Sequence, residues 1–237
     1  MYSRTELLLG QEGLTALQQA NVLVVGLGGV GGYTVEQLCR AGIGRLTLVD
    51  SDQVSESNIN RQIIALHSTI GQPKAQLFKE RCFDINPNCQ VTALEEFLRD
   101  ERMVELLQSE RFDCVVDCID TLSPKVFLLY HCRRLNIPIV SSMGSAGKLD
   151  PEQIHTTDIS QSHTCPLAAM VRKKLHPLGI RDGITVVFST EKVPPHAMVE
   201  EFEQNHRTTI GTISYMPPLF GCHCAAAVIK NLLHHNK

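Results

Sequence analysis

One glycine-rich turn, an aspartate and three further charged side chains carry the chemistry open to this sequence. The turn Gly26-Leu27-Gly28-Gly29-Val30-Gly31 follows an apolar run at 21–25 and opens a helical pattern. Backbone N–H groups and a helix dipole can therefore face phosphate oxygens there with no side chain in the way. Such a turn implies a nucleotide without saying which. Asp50 closes the next apolar run ~20 residues further on, where a carboxylate accepts hydrogen bonds from ribose hydroxyls. With only this much, an NAD-dependent dehydrogenase remains open. Arg61 and Lys74 shift the balance, because a guanidinium forks onto two phosphate oxygens and an ammonium adds a compact charge beside it. That pair suits the cleavage of ATP more than the holding of a dinucleotide. Asp120, at the end of the run 112–119, is placed to hold Mg²⁺ against the β- and γ-phosphates. Taken singly, each of the three charged residues fits a surface ion pair as well as catalysis. Their shared placement at strand ends favours function.

The elements that must position these groups are legible as an alternation. Short β-branched runs at 21–25, 46–49, 90–94, 112–119 and 137–141 read as strands of a buried parallel sheet. Between them, residues 30–41, 74–85, 103–108 and 124–135 carry apolar residues at helical spacing. Asp117, inside its strand, reads as structural. Right-handed crossovers then gather ligands at the carboxyl ends of the strands, where the conspicuous polar residues sit. After residue 141 the glycine-bearing segment 143–148 loosens the pattern, and strands at 153–157 and 184–189 extend or edge the sheet. The expected class is α/β, a Rossmann-like, mostly parallel sheet with helices on both faces.

At 237 residues the chain is long enough for one full α/β core, so a single domain over 1–237 is expected. A net charge of −3 excludes a uniformly basic nucleic-acid coat but allows a local basic face. Nine cysteines, odd in number and set mostly within apolar runs, together with an N-terminus lacking a secretory apolar stretch, point to a reducing cytoplasm. The apolar stretch 217–233 is interrupted by His223, Lys230 and Asn231 and falls short of a membrane span; it reads as a packed helix.

Other suggestive groups weigh less. Cys222-His223-Cys224 lacks a second cysteine pair to complete a tetrahedral zinc site, so these read as residues of the last helix. Cys114 and Cys118 lie in a strand and read as packing. Lys148, Arg172, Lys173, Lys174, His176 and Arg181 form a basic concentration that fits either a polyanion or a solvated helix face.

Gly26 to Gly31, Asp50, Ser57-Asn58-Ile59-Asn60-Arg61-Gln62, Lys74 and Asp120 together resemble the ubiquitin-activating-enzyme-like adenylyltransferases, over residues 10–145. The resemblance implies Asp50 on the ribose, Asn58, Arg61 and Lys74 around the phosphates, and Asp120 on magnesium. Arg4 looks like the arginine that this superfamily lends across a homodimer to the partner's ATP. Members that activate ubiquitin-like or sulfur-carrier proteins usually hold zinc by two Cys-x-x-Cys pairs, which this sequence lacks. Residues 120–125, 142–147, 150–154, 158–159, 165–169 and 187–191 instead look like the tRNA threonylcarbamoyladenosine dehydratases. That family implies an ATP-dependent cyclisation of N6-threonylcarbamoyladenosine at position 37 of ANN-decoding tRNA, by a homodimer, with a sulfur-relay or carrier protein as a possible partner. Residues 146–237 would then serve substrate and dimer contacts. Some relatives carry a cysteine in the loop before the last helix, whereas residues 205–209 offer none. The readings that compete are activation of a small carrier protein, against which the missing zinc cysteines count, and an idle nucleotide-sensing scaffold, against which the set Arg61, Lys74 and Asp120 counts.

Overall fold

The structure is a computed structural model that describes residues 1–201 and 207–234. Its centre is a seven-stranded sheet. The strands are β1 (Asn21–Val25), β2 (Arg45–Val49), β3 (Gln90–Leu94), β4 (Cys114–Asp117), β5 (Ile139–Ser142), β6 (Ile154–Asp158) and β7 (Thr185–Ser189), in the order β3-β2-β1-β4-β5-β7-β6. Every pairing is parallel except that of the edge strand β6, which runs antiparallel on β7.

The helices are α1 (Ser3–Gln19), α2 (Gly29–Ala41), α3 (Lys74–Ile85), α4 (Asp100–Ser109), α5 (Leu122–Arg134), α6 (Pro166–Leu175) and α7 (Met216–His234). They cover both faces of the sheet. Alternation along β1 shows why Val22 to Val25 are all apolar: Val22 and Val24 enter one core with α2, α3 and α7, and Leu23 and Val25 enter the other with α4, α5 and α6. Each face excludes water independently, so an unpartnered polar side chain would be costly at any of these four positions. The helix α7 lies closely on α2, with Thr34 Oγ1 donating to the Gly221 carbonyl at 3.2 Å.

The alternation read from the sequence is present, with strand and helix ends displaced by at most three residues. The strand expected at 112–119 is shorter, because Cys118 to Thr121 turn out of the sheet to form the lip of a crevice. Two features went unread. The helix α1 precedes the sheet, broken at Gly10 where φ is +71°, and a hairpin of β8 (Met198–Glu201) and β9 (Arg207–Ile210) stands apart from the sheet. Positions 205 and 206 of the cysteine-free loop lie outside the described residues. Among the described residues, no helix is long and apolar enough to cross a membrane.

Strand order fixes where a ligand must sit. From β1 the chain steps outward through β2 to β3, then returns to β4 on the other side of β1 and proceeds to β5. The crossovers above β1 and β4 therefore diverge and leave a crevice at their carboxyl ends.

Candidate nucleotide and catalytic site

A cavity of about 690 Å³ opens at that switch point, within the range that holds a nucleotide-sized ligand. Its wall includes Gly26, Gly28 and Gly29 of the glycine turn, Asp50, Asn58, Arg61, Lys74 and Asp120, so the structure brings together the residues that the sequence singled out, Gly31 and Arg4 excepted. Arg4 is exposed on α1 and does not line the crevice of its own chain.

The turn between β1 and α2 needs its glycines for two separate reasons. Gly26 has φ +89°, a left-handed conformation, and a Cβ there would stand 2.7 Å from the Cys118 carbonyl oxygen. At Gly31 a Cβ would meet the Gly26 carbonyl oxygen at 1.8 Å, so the first turn of α2 can close over the strand end only with hydrogen at that position. Gly28 caps α2 and leaves its first amides directed at the crevice.

Asp50 braces this turn as well as facing the cavity. Its Oδ2 accepts the Leu27 N–H at 2.6 Å and its Oδ1 accepts the Asp52 N–H at 2.8 Å. Burial pushes the carboxyl above the ordinary aspartate range despite those bonds. Asn58 is buried and closes a short turn by accepting the Ser55 N–H at 3.1 Å. Arg61 Nη1 donates to the Ser57 carbonyl at 2.9 Å and to Asn60 Oδ1 at 2.7 Å, which aims the guanidinium along the wall. Asn60 in turn donates to the Thr212 carbonyl at 3.0 Å, tying this loop to the segment before α7. Lys74 opens α3 with its side chain 5% exposed, and its ammonium lies 2.9 Å from the exposed carboxylate of Asp52. An arriving phosphate competes with Asp52 for that ammonium. Asp120 is exposed at the opposite lip and makes no hydrogen bond or ion pair among the described residues.

Under Asp120 lies a buried network that the sequence did not disclose. Asp117 Oδ2 accepts from Lys125 Nζ at 2.6 Å and from Ser141 Oγ at 2.5 Å, and Lys125 also donates to the Ser142 carbonyl at 2.9 Å. Asp117 Oδ1 receives the Ile119 N–H at 3.1 Å and so shapes the turn that carries Asp120. The available signal was an aspartate within an apolar strand and a lysine one helical turn into α5, since a buried carboxylate needs a partner.

Gln62 was also missed as a site residue: it is buried in the crevice wall and its Oε1 has no partner among the described residues. Ser145, Ala146, Thr212 and Pro217 complete the wall from distant parts of the chain and have no local sequence signature. Cys114 is buried in the core and Cys118 is half-buried against it, so both pack as expected, and Cys118 also lines the crevice. The nine cysteines are all free thiols. Arg172, expected within a uniform basic run, is turned inward onto the Ser162 carbonyl at 2.7 Å and the Ser162 hydroxyl.

A doubly wound sheet with a glycine turn, two cations and a free carboxylate at its switch point defines a nucleotide-binding protein with charge placed for phosphates. The chain belongs to the ThiF family, whose model matches residues 2–237. It is 46% identical over 190 residues to the tRNA threonylcarbamoyladenosine dehydratase of Bacillus subtilis (strain 168), covering 80% of this chain and 74% of that protein. It is 39% identical over 197 residues to the Escherichia coli (strain K12) protein of the same name, covering 80% and 73%. The fold superposes on a crystal structure of E. coli tRNA N6-threonylcarbamoyladenosine dehydratase in complex with ATP with a TM-score of 0.89, at 34% identity, over 99% of this chain and 94% of that one.

Proposed function

We propose that this protein is an ATP-dependent tRNA threonylcarbamoyladenosine dehydratase. The observation that carries the reading is the convergence of Arg61, Lys74 and Asp120 on one crevice with the glycine turn, in a chain similar throughout its length to a dehydratase solved with ATP.

The substrate is the threonine carboxylate of N6-threonylcarbamoyladenosine at position 37 of tRNA. A carboxylate is a poor electrophile until one oxygen carries a phosphoryl or adenylyl group from ATP. A nucleophile within the same modified nucleoside then attacks the activated carbonyl carbon, and the activating group departs with the former carboxylate oxygen. The ring closes and the substrate loses one water overall. Because both reacting groups belong to one molecule, positioning supplies much of the rate, and a protein nucleophile is unnecessary.

In this reading the α2 amides and Arg61 cradle the phosphates, and Lys74 leaves Asp52 to neutralise charge as the phosphate product departs. Asp50 holds the ribose with lone pairs that its backbone bonds leave free, and Asn58 keeps the Arg61 loop in register. The unpartnered oxygen of Gln62 offers an acceptor to the nucleotide. The donor set fits magnesium, since Asp120 presents an exposed carboxylate without a protein partner across from two cations. When bound there the ion would offset charge on the phosphates. Arg4 completes the site from the partner protomer of a homodimer. A tRNA substrate and nine free thiols agree with a cytoplasmic enzyme, to which a sulfur-relay or carrier protein can dock. Mass analysis of nucleosides from threonylcarbamoyladenosine-bearing tRNA incubated with protein and ATP tests the reading: a product one water lighter is expected. Unchanged tRNA, with ATP spent on the C-terminus of a carrier protein, would replace it.

A further inference from the structure

A second hollow, of about 200 Å³, lies between the start of α5 and the end of α6. Its walls are Leu122, Val126, Phe127, Tyr130, Lys174 and Leu178. It shares one turn of chain with the nucleotide crevice: Thr121 and Pro124 line the crevice, and Leu122 and Ser123, interleaved with them, line the hollow. Since α5 begins where β4 ends, this is the edge of the sheet at which Asp120 sits. Lys174, from the last turn of α6, meets the first turns of α5, so α6 brings its basic end to that same edge.

The chemistry of the hollow is that of a stacking slot. Phe127 and Tyr130 are half-buried, and both rings are braced against His131, with centroids at 4.3 and 5.0 Å. Lys174 is exposed at the rim and has no hydrogen bond or ion pair among the described residues. An apolar slot with aromatic walls and a free ammonium matches one face of a base and the phosphate beside it. Single-stranded RNA is held in this way, by aromatic stacking and backbone charge.

We propose that this hollow receives an unpaired nucleobase of the tRNA loop that carries the reacting adenosine, with Lys174 on the adjoining phosphate. The proposal rests on the tRNA reading above and deepens it. An apolar peptide side chain would fill the slot equally well but by itself leaves the free ammonium unused. It also does not explain the single turn separating slot from crevice, which suits neighbouring nucleotides of one strand, one entering each cavity.

The test measures binding of threonylcarbamoyladenosine-bearing tRNA to the full chain, with a non-hydrolysable ATP analogue, across a salt series. Phe127→Leu with Tyr130→Leu should raise the tRNA Kd ~10-fold with an unchanged salt slope, because stacking releases no counterions. Lys174→Ala, at an exposed position that leaves packing intact, should raise the Kd and lower the salt slope by ~1. Affinity for the ATP analogue should stay at its original value in both. Phe83→Leu, at an exposed aromatic of α3 on the opposite face, should match the original protein. If tRNA is still dehydrated but its affinity and salt slope are unchanged in both slot variants, the hollow is not a base slot and the function stands. If the unaltered protein neither binds nor modifies tRNA, both readings fall. Loss of affinity for a carrier protein in the slot variants, with tRNA binding intact, would assign the hollow to that partner and overturn the proposal.

Discussion

Lys125 Nζ lies 2.6 Å from Asp117 Oδ2, and both side chains are wholly shut off from solvent. The pair joins the end of β4 to the first turn of α5 and, through Ser141 and the Ser142 carbonyl, to the end of β5. Removing one member leaves the other charged and unpaired in the core, at a cost of ~3–5 kcal/mol. Lys125→Met and Asp117→Asn should each lower unfolding free energy by an amount approaching that range. The double variant should lose less than the sum, which denaturant melts of all four proteins would reveal. Strict additivity would show that the two side chains do not act as a pair. Lys125→Met should also lower kcat, because Asp117 Oδ1 holds the Ile119 amide that shapes the Asp120 turn.

A second prediction concerns acid. Glu36 of α2 is buried, and burial opposes its ionisation; bonds from Arg81 Nε at 2.6 Å and Arg40 Nε at 2.7 Å outweigh this and hold its carboxyl below the usual range. A depressed folded value means stability that is present above the unfolded value, about 4.3, and is lost as pH falls through the folded one. Glu36→Gln should be destabilised at neutral pH by ~1–2 kcal/mol, toward the low end because both guanidinium groups are partly exposed. The gap between the two proteins should narrow below about pH 4.3. A gap independent of pH would show that the ion pairs contribute nothing through titration.

These two clusters mark the boundary of what the sequence disclosed. The alternation of elements, the glycine turn Gly26 to Gly31 and the crevice residues Asp50, Arg61, Lys74 and Asp120 were legible, because strand period, turn chemistry and charge at strand ends are local signals. Lys125 with Asp117, and Glu36 with Arg81, were not. Their meaning depends on which helix turn faces which strand, and single-sequence periodicity fixes that only for apolar residues. The helix α1 was missed because Gly10 and Gly13 interrupt it, and Leu7 and Leu8 are 88% and 82% exposed rather than packed on this chain's core. Thr212 and Pro217 reach the crevice from far along the chain, at the segment tied down by Asn60, so no local motif points to them.

Asp120 stands free at the lip, so its loss should spare nucleotide recognition. Asp120→Ala should abolish turnover while ATP binding, measured calorimetrically, survives in part, since a metal serves phosphate departure more than adenine recognition. The same titration should show ATP with magnesium binding more tightly than NAD. Turnover at the original rate in Asp120→Ala would remove that carboxylate from the reaction.

Arg4 and the exposed Leu7 and Leu8 share one end of α1, and Arg4 lies outside the crevice lining of its own chain. If it serves the partner's nucleotide, Arg4→Ala and Asp120→Ala proteins should each be inactive alone. Co-expressed, they should regain part of the activity, because one site of the mixed dimer has its own Asp120 and the partner's intact arginine. No recovery in a dimer shown by scattering to be mixed would place Arg4 in its own chain's chemistry or outside the reaction.

The basic run on α6 divides by geometry into residues of opposite roles. Arg172 is spent within the chain, on the Ser162 carbonyl at 2.7 Å and the Ser162 hydroxyl, where it fastens the loop before α6. Lys173 is exposed and makes no hydrogen bond or ion pair among the described residues. Arg172→Ala should therefore cost ~1–2 kcal/mol of stability, as the loss of a charge-assisted hydrogen bond at a partly buried site does. It should leave the salt dependence of tRNA binding as it was. Lys173→Ala should leave the melting temperature unchanged. If Lys173 meets a phosphate, this substitution lowers the salt slope by ~1, since one fewer counterion is released per contact removed. Salt titrations of tRNA affinity beside thermal melts separate the two effects. A lowered salt slope in Arg172→Ala with an unchanged melt would mean that its guanidinium leaves Ser162 for the RNA and that the run acts as one surface.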